Sequence, residues 1–115
     1  MLLFAIEYKM YKRGIGMKQV ILSADYEKIV YLVPDIVADH LREYCMEFCN
    51  EWLWKAKEAS KYRQMVGDEV GVCYNEEDFI EYLNMYIFPD QPSTFVENLG
   101  FDIPKQYQHL PYFNF

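Results

Sequence analysis

Apolar and polar positions change period several times along the chain, and each change marks an element. Gln19-Val20-Ile21-Leu22 and Lys28-Ile29-Val30-Tyr31-Leu32-Val33 are rich in β-branched residues. The polar stretch Ala24-Asp25-Tyr26-Glu27 separates them, so the pattern predicts an antiparallel hairpin over 18–33. Pro34 ends the second strand and suits the first position of a helix, where its missing N–H costs nothing. From there the period is helical: Val37, Leu41, Tyr44, Phe48 and Trp52 recur at steps of four and three, with Cys45 and Cys49 beside the stripe. The spacing predicts a long helix over 34–57. Asp35 and Asp39 suit its positive end and Lys55 and Lys57 its negative end, with a solvated extension through Ala59 to Arg63.

Residues 65–71 contain two glycines and read as a loop, and Val70 to Tyr74 reads as a short third strand near 70–74. Asn75 is a natural N-cap, and Glu76, Glu77 and Asp78 fill the turn after it with carboxylates that favour the helix dipole. Phe79, Leu83, Tyr86 and Ile87 supply the buried face of a helix over 76–87, which Pro89 stops. Ser93 is placed to cap a short helix over 94–98, with Gly100 at its left-handed C-terminal position. The tail from Phe101 has no period; its Ile103, Tyr107, Leu110, Tyr112, Phe113 and Phe115 read as an irregular aromatic strap across the core. The expected fold is α+β: a small antiparallel sheet on one long helix, two shorter helices and that tail. No internal repeat or low-complexity segment occurs.

The N-terminus reads separately. Lys12-Arg13-Gly14 is what a translated ribosome-binding site would encode, with Met17 as the native start. Residues 1–16 are therefore set apart as a non-native or loosely attached extension, and 17–115 as a single α+β domain. If the extension is native, Leu2, Phe4, Ile6 and Tyr8 alternate like an added strand.

Composition narrows the class. At 115 residues, 52% of them hydrophobic, the chain buries enough surface to order one domain and is not a disordered polymer. No uncharged apolar run approaches the ~20 residues a bilayer helix needs, so no membrane is expected. Eighteen acidic against eleven basic side chains leave a net charge of −7, which disfavours a nucleic-acid partner. The charges are also segregated. From Gln64 to Pro104 there is no Lys or Arg, while Lys55, Lys57, Lys61 and Arg63 cluster just before. A one-signed field of this kind favours a basic protein partner.

The most specific charged pattern is a ladder on the long helix: Asp35, Asp39, Glu43, Glu47 and Glu51, four apart without a gap. Four residues turn an α-helix by about 400°, so successive members sit one turn apart and drift by about 40°. Like charges at that spacing cost a few tenths of a kcal/mol each. Arg42 can relieve Asp39 or Glu43, and Lys55 can relieve Glu51. Trp52 and Trp54 point to different sides of one helix, which makes Trp54 a candidate surface anchor. Asp39, Glu43, Glu47, Glu51 and Trp54 are thus the candidate partner-binding residues.

Cys45, Cys49 and Cys73 come without a basic n-region or cleavage site ahead of them, which implies free thiols in a reducing cytoplasm. Cys45 and Cys49 border the apolar stripe and read as small core residues. With no Cys-x-x-Cys and no Glu-x-x-His, neither a metal nor a cofactor is expected. Cys73, just ahead of a helix N-terminus, is the one candidate nucleophile; the three acids that follow oppose a thiolate there. Phosphate loops, Gly-x-Ser-x-Gly elbows and His-Glu-x-x-His helices are absent. Eleven tyrosines, eight phenylalanines and two tryptophans exceed ordinary usage, with Tyr62, Tyr82, Tyr107 and Tyr112 as candidates for partial exposure. Two functions follow as expectations. One is a non-catalytic acidic module, of inhibitor, immunity or antitoxin type, that docks a basic surface. The other is a small cysteine-dependent enzyme or thiol sensor centred on Cys73.

Overall fold

Two continuous apolar, β-branched runs in the first hairpin set the frame of the whole chain. The computed structural model describes residues 16–115. The proposed extension 1–16 and its alternating strand therefore fall outside the described residues, apart from Gly16. Strands β1 (Met17–Ser23) and β2 (Ile29–Pro34) pair antiparallel, with Val20 opposite Tyr31 and Leu22 opposite Ile29. Because successive side chains alternate, Val20, Leu22, Ile29, Tyr31 and Val33 share one face, and all join the main core. Ile21 and Val30 point the other way and are equally dry, so the β1–β2 centre of the sheet is shielded from solvent on both faces.

Two further strands complete a four-stranded mixed sheet in the order β5-β2-β1-β6. Strand β5 (Thr94–Asn98) lies antiparallel to β2, and β6 (Tyr112–Asn114) runs parallel to β1. The residues expected to form a helix at 94–98 are thus a strand. Thr94-Phe95-Val96 favours extended backbone, and pairing with β2 satisfies its main-chain groups along one edge. Ser93 does not cap a helix: its N–H donates to Asn84 Oδ1 at 2.6 Å, and Asn84 Nδ2 donates to its carbonyl at 3.0 Å. Gly100 does take a left-handed conformation, φ 77°, but in the turn that follows a strand.

The long helix is a relay rather than one rod. Helix α1 (Asp35–Asp39) gives way at His40, φ −130° and ψ 39°, to α2 (Leu41–Met46). A π-helical stretch, Glu47–Trp52, follows, then α3 (Leu53–Lys55). No proline or glycine marks the break at His40. Ala56 turns extended and a 3₁₀ segment, Lys57–Tyr62, replaces the expected helical extension. Arg63 locks the junction, its guanidinium donating to the carbonyls of Leu53 and Ala56, each at 2.9 Å.

Residues 65–71 are not a loop. β3 (Arg63–Val66) and β4 (Glu69–Val72) form their own antiparallel hairpin around Gly67, φ 65°, and Asp68. The strand expected near 70–74 is therefore shorter and earlier, Glu69–Val72, and it belongs to this ribbon instead of the main sheet. Helix α4 (Glu76–Tyr82), extended by a π turn at Leu83–Ile87, opens with the expected cap. Asn75 Oδ1 accepts from the Asp78 N–H at 3.1 Å, and Asp78 Oδ2 accepts from the Asn75 N–H at 2.9 Å.

The core is aromatic. Phe48, fully buried, meets the rings of Trp52, Tyr74, Phe79, Tyr82 and Phe115 at centroid distances of 5.1–6.0 Å, the shortest being to Tyr82. The tail is irregular over most of its length, yet β6 delivers Phe113 and Phe115 to the helix side of the sheet. Among the described residues, no helix is long and apolar enough to cross a membrane.

Candidate functional site

Two acidic features emerge, one on the helix relay and one at a sheet edge. The ladder starts poorly as a wet row. Asp35 is half-buried beside Gly16, its Oδ1 shut off from solvent; a Cβ at Gly16 would overlap the Asp35 carboxylate. Asp39 accepts from Lys18 Nζ at 2.8 Å, a pairing between strand and helix that helix spacing alone did not reveal. At the far end Lys55 Nζ meets Glu51 Oε1 at 2.6 Å, as the four-residue spacing suggested, and that hydrogen bond pushes the Lys55 ammonium up. Glu43 and Glu47, between the two lysines, are exposed carboxylates on the outer side of the relay. The π stretch starting at Glu47 has i→i+5 bonds, so Glu51 does not continue the drift of a pure α-helix.

Trp54 stands past the ladder's end and is 44% exposed, while Trp52 packs against the core and contacts Tyr86 at 5.2 Å. The two tryptophans do part company. Of the four tyrosines singled out for exposure, Tyr112 is exposed, Tyr62 and Tyr107 are half-buried, and Tyr82 is buried. Tyr62 OH donates to Glu81 Oε2 at 3.2 Å and Tyr107 OH to Glu97 Oε1 at 2.7 Å, so both hydroxyls are anchored within the fold.

The cysteines separate by depth. Cys45 is fully buried and its thiol is pushed up by burial; Cys49 is half-buried and is raised for the same reason. Cys73 is exposed, with its main-chain N–H held by the Tyr62 carbonyl at 2.9 Å. Among the described residues, no three His, Cys, Asp or Glu side chains are grouped so as to hold a metal ion.

The second feature is a cleft of about 230 Å³ that no single stretch of sequence outlines. Its floor is Ile29 and Tyr31 of β2. One wall is Phe95 and Asn98 of β5, and the other is Glu76 and Glu77 in the first turn of α4; Asp25 and Glu27 of the β1–β2 turn close the end. The Phe95 ring stands edge-on to Tyr31 at 6.1 Å, and Asn98 donates its amide to Glu27. Glu76 Oε2 is sealed from solvent with no hydrogen-bond partner among the described residues. Burial raises the Glu76 carboxyl above its usual range, a main-chain hydrogen bond partly opposes this, and the charges of Glu77, Asp25 and Glu27 add to the rise. Tyr31 is pushed up by burial and then by Glu76 and Glu77. In the sequence Asp25 and Glu27 stand in a turn and Glu76 and Glu77 at a helix start, about fifty residues apart. The cation-free run from 64 to 104 was the one signal pointing here.

Compared with protein-family models, curated proteins and solved structures, the chain matches none.

Proposed function

We propose that this protein is a non-catalytic acidic binding module that docks a basic surface of a partner protein, in the manner of inhibitors and immunity or antitoxin-type proteins. The observation that carries the reading is the pair Glu43 and Glu47: two exposed carboxylates in mid-helix, bracketed by Asp39 and Glu51, with Trp54 beyond as an exposed aromatic anchor. Exposed like charges repel one another and contribute nothing to the fold. They do speed encounter with a cationic surface and penalise anionic competitors. An aromatic side chain beside such a patch adds buried area at little rotamer cost.

The test is charge reversal. Glu43→Lys/Glu47→Lys, with an unchanged circular dichroism spectrum, should release whichever protein the wild type captures from cell extract, and capture by the wild type should weaken with salt. Capture that is indifferent to both reversal and salt overturns the reading.

A further inference from the structure

We infer that the outer edge of β5 accepts an extended basic segment of a protein partner as an added strand, one of whose Lys or Arg side chains enters the cleft beside Glu76 and Glu77. Among the described residues β5 pairs only with β2, and all five of its residues are exposed. An edge strand in that condition presents a row of main-chain donors and acceptors to any chain that can align with it. Side chains of an added strand alternate between faces, so every second one would stand over the helix side of the sheet, where the cleft opens. There a cation meets carboxylates on one side and the Phe95 ring, 61% exposed, on the other. Both contacts favour a guanidinium or ammonium over any neutral group.

Charge decides the occupant. A second copy of this chain would bring another net −7 to the same edge and set its Glu97 and cleft carboxylates against these. The register shift between Val30 and Tyr31 also makes β5 an irregular template, which guards against indiscriminate pairing. A basic segment meets no charge barrier, and its attraction to the cleft carboxylates offsets the cost of pairing with an irregular edge. The inference shares with the proposed function the premise of a basic partner, but it uses a different surface, so the two fail separately.

The probe is a short blocked peptide alternating lysine with threonine, titrated at low salt into the ¹⁵N-labelled full chain; a glutamate–threonine peptide is the control. Amide shifts are expected at 94–98 and 75–77. Glu76→Gln/Glu77→Gln should weaken binding about tenfold, Phe95→Ala should also weaken it, and Glu43→Lys/Glu47→Lys should leave these shifts in place. Phe95 is a surface residue, so its truncation keeps the fold available if the double glutamine variant is unstable. Four outcomes overturn the inference: no shifts in β5, shifts confined to 41–52, equal binding of the glutamate peptide, or β5 shifts that depend on protein concentration without peptide.

Discussion

The ring of Phe48, in the π turn of the helix relay, meets the ring of Phe115, the last residue of the chain, at 6.0 Å and 76°. The Phe115 N–H donates to the Ser23 carbonyl at 2.8 Å, so one residue ties β1, β6 and the relay together. Phe48→Ala should cost about 3–5 kcal/mol, because it empties the middle of the aromatic cluster. Phe115→Ala, at a half-buried site, should cost about 1–2 kcal/mol. Urea denaturation of both single variants and the double variant should return a coupling of about 0.5–1.5 kcal/mol. Strict additivity would mean that the edge-on contact carries no energy of its own.

Arg63 holds the end of α3 by two hydrogen bonds to main-chain carbonyls. Arg63→Met keeps the apolar stem and removes both donors. Stability should fall by about 1.5–3 kcal/mol, the range for charge-assisted hydrogen bonds. Hydrogen exchange should quicken first at the junction 53–57. A uniform loss of protection across the sheet would contradict a local cap.

The three thiols should titrate in order of depth. Cys73 should react with a disulfide reagent first, Cys49 slowly, and Cys45 only in denaturant, where its burial is lost. An ordinary rate at Cys73 fits a merely exposed thiol. A rate well above that of free cysteine at neutral pH would favour the cysteine-centred enzyme or sensor over the binding module.

Glu76 gives a pH signature. Its carboxyl is raised in the folded state, so the folded chain holds that proton more tightly than the unfolded one. The resulting stabilisation is complete below the ordinary glutamate range, near pH 4.3, and is lost as pH climbs through the raised value. The stability of Glu76→Gln relative to wild type should therefore rise with pH across that window and then level off. A flat or opposite trend in paired thermal melts would show that the Glu76 carboxyl is not held above the usual range.

Much of the fold was legible because its signals are local. The apolar, β-branched runs Val20-Ile21-Leu22 and Ile29-Val30-Tyr31-Leu32-Val33 and the Asn75–Asp78 cap are contained in a few neighbouring residues. Gly67-Asp68 was an equally local turn signal. The two glycines of 65–71 read as loop, and the flanking strands, Arg63–Val66 and Glu69–Val72, expose most of their side chains and so carry no buried face to give them a period. The break at His40 and the π turn at Glu47 left no mark in the helical spacing, since both elements keep the same stripe pointed inward.

By itself, the sequence determined an α+β chain with a hairpin followed by helix, an aromatic core and a negative charge concentrated in blocks. Only tertiary structure decided that Thr94–Asn98 is a strand, that it lies at an edge, and that four carboxylates from two distant segments share one cleft with Phe95. Periodicity reports which side of an element seeks burial. Pairing and convergence depend on residues far apart in the chain, whose contact energies appear only once the chain has closed on itself.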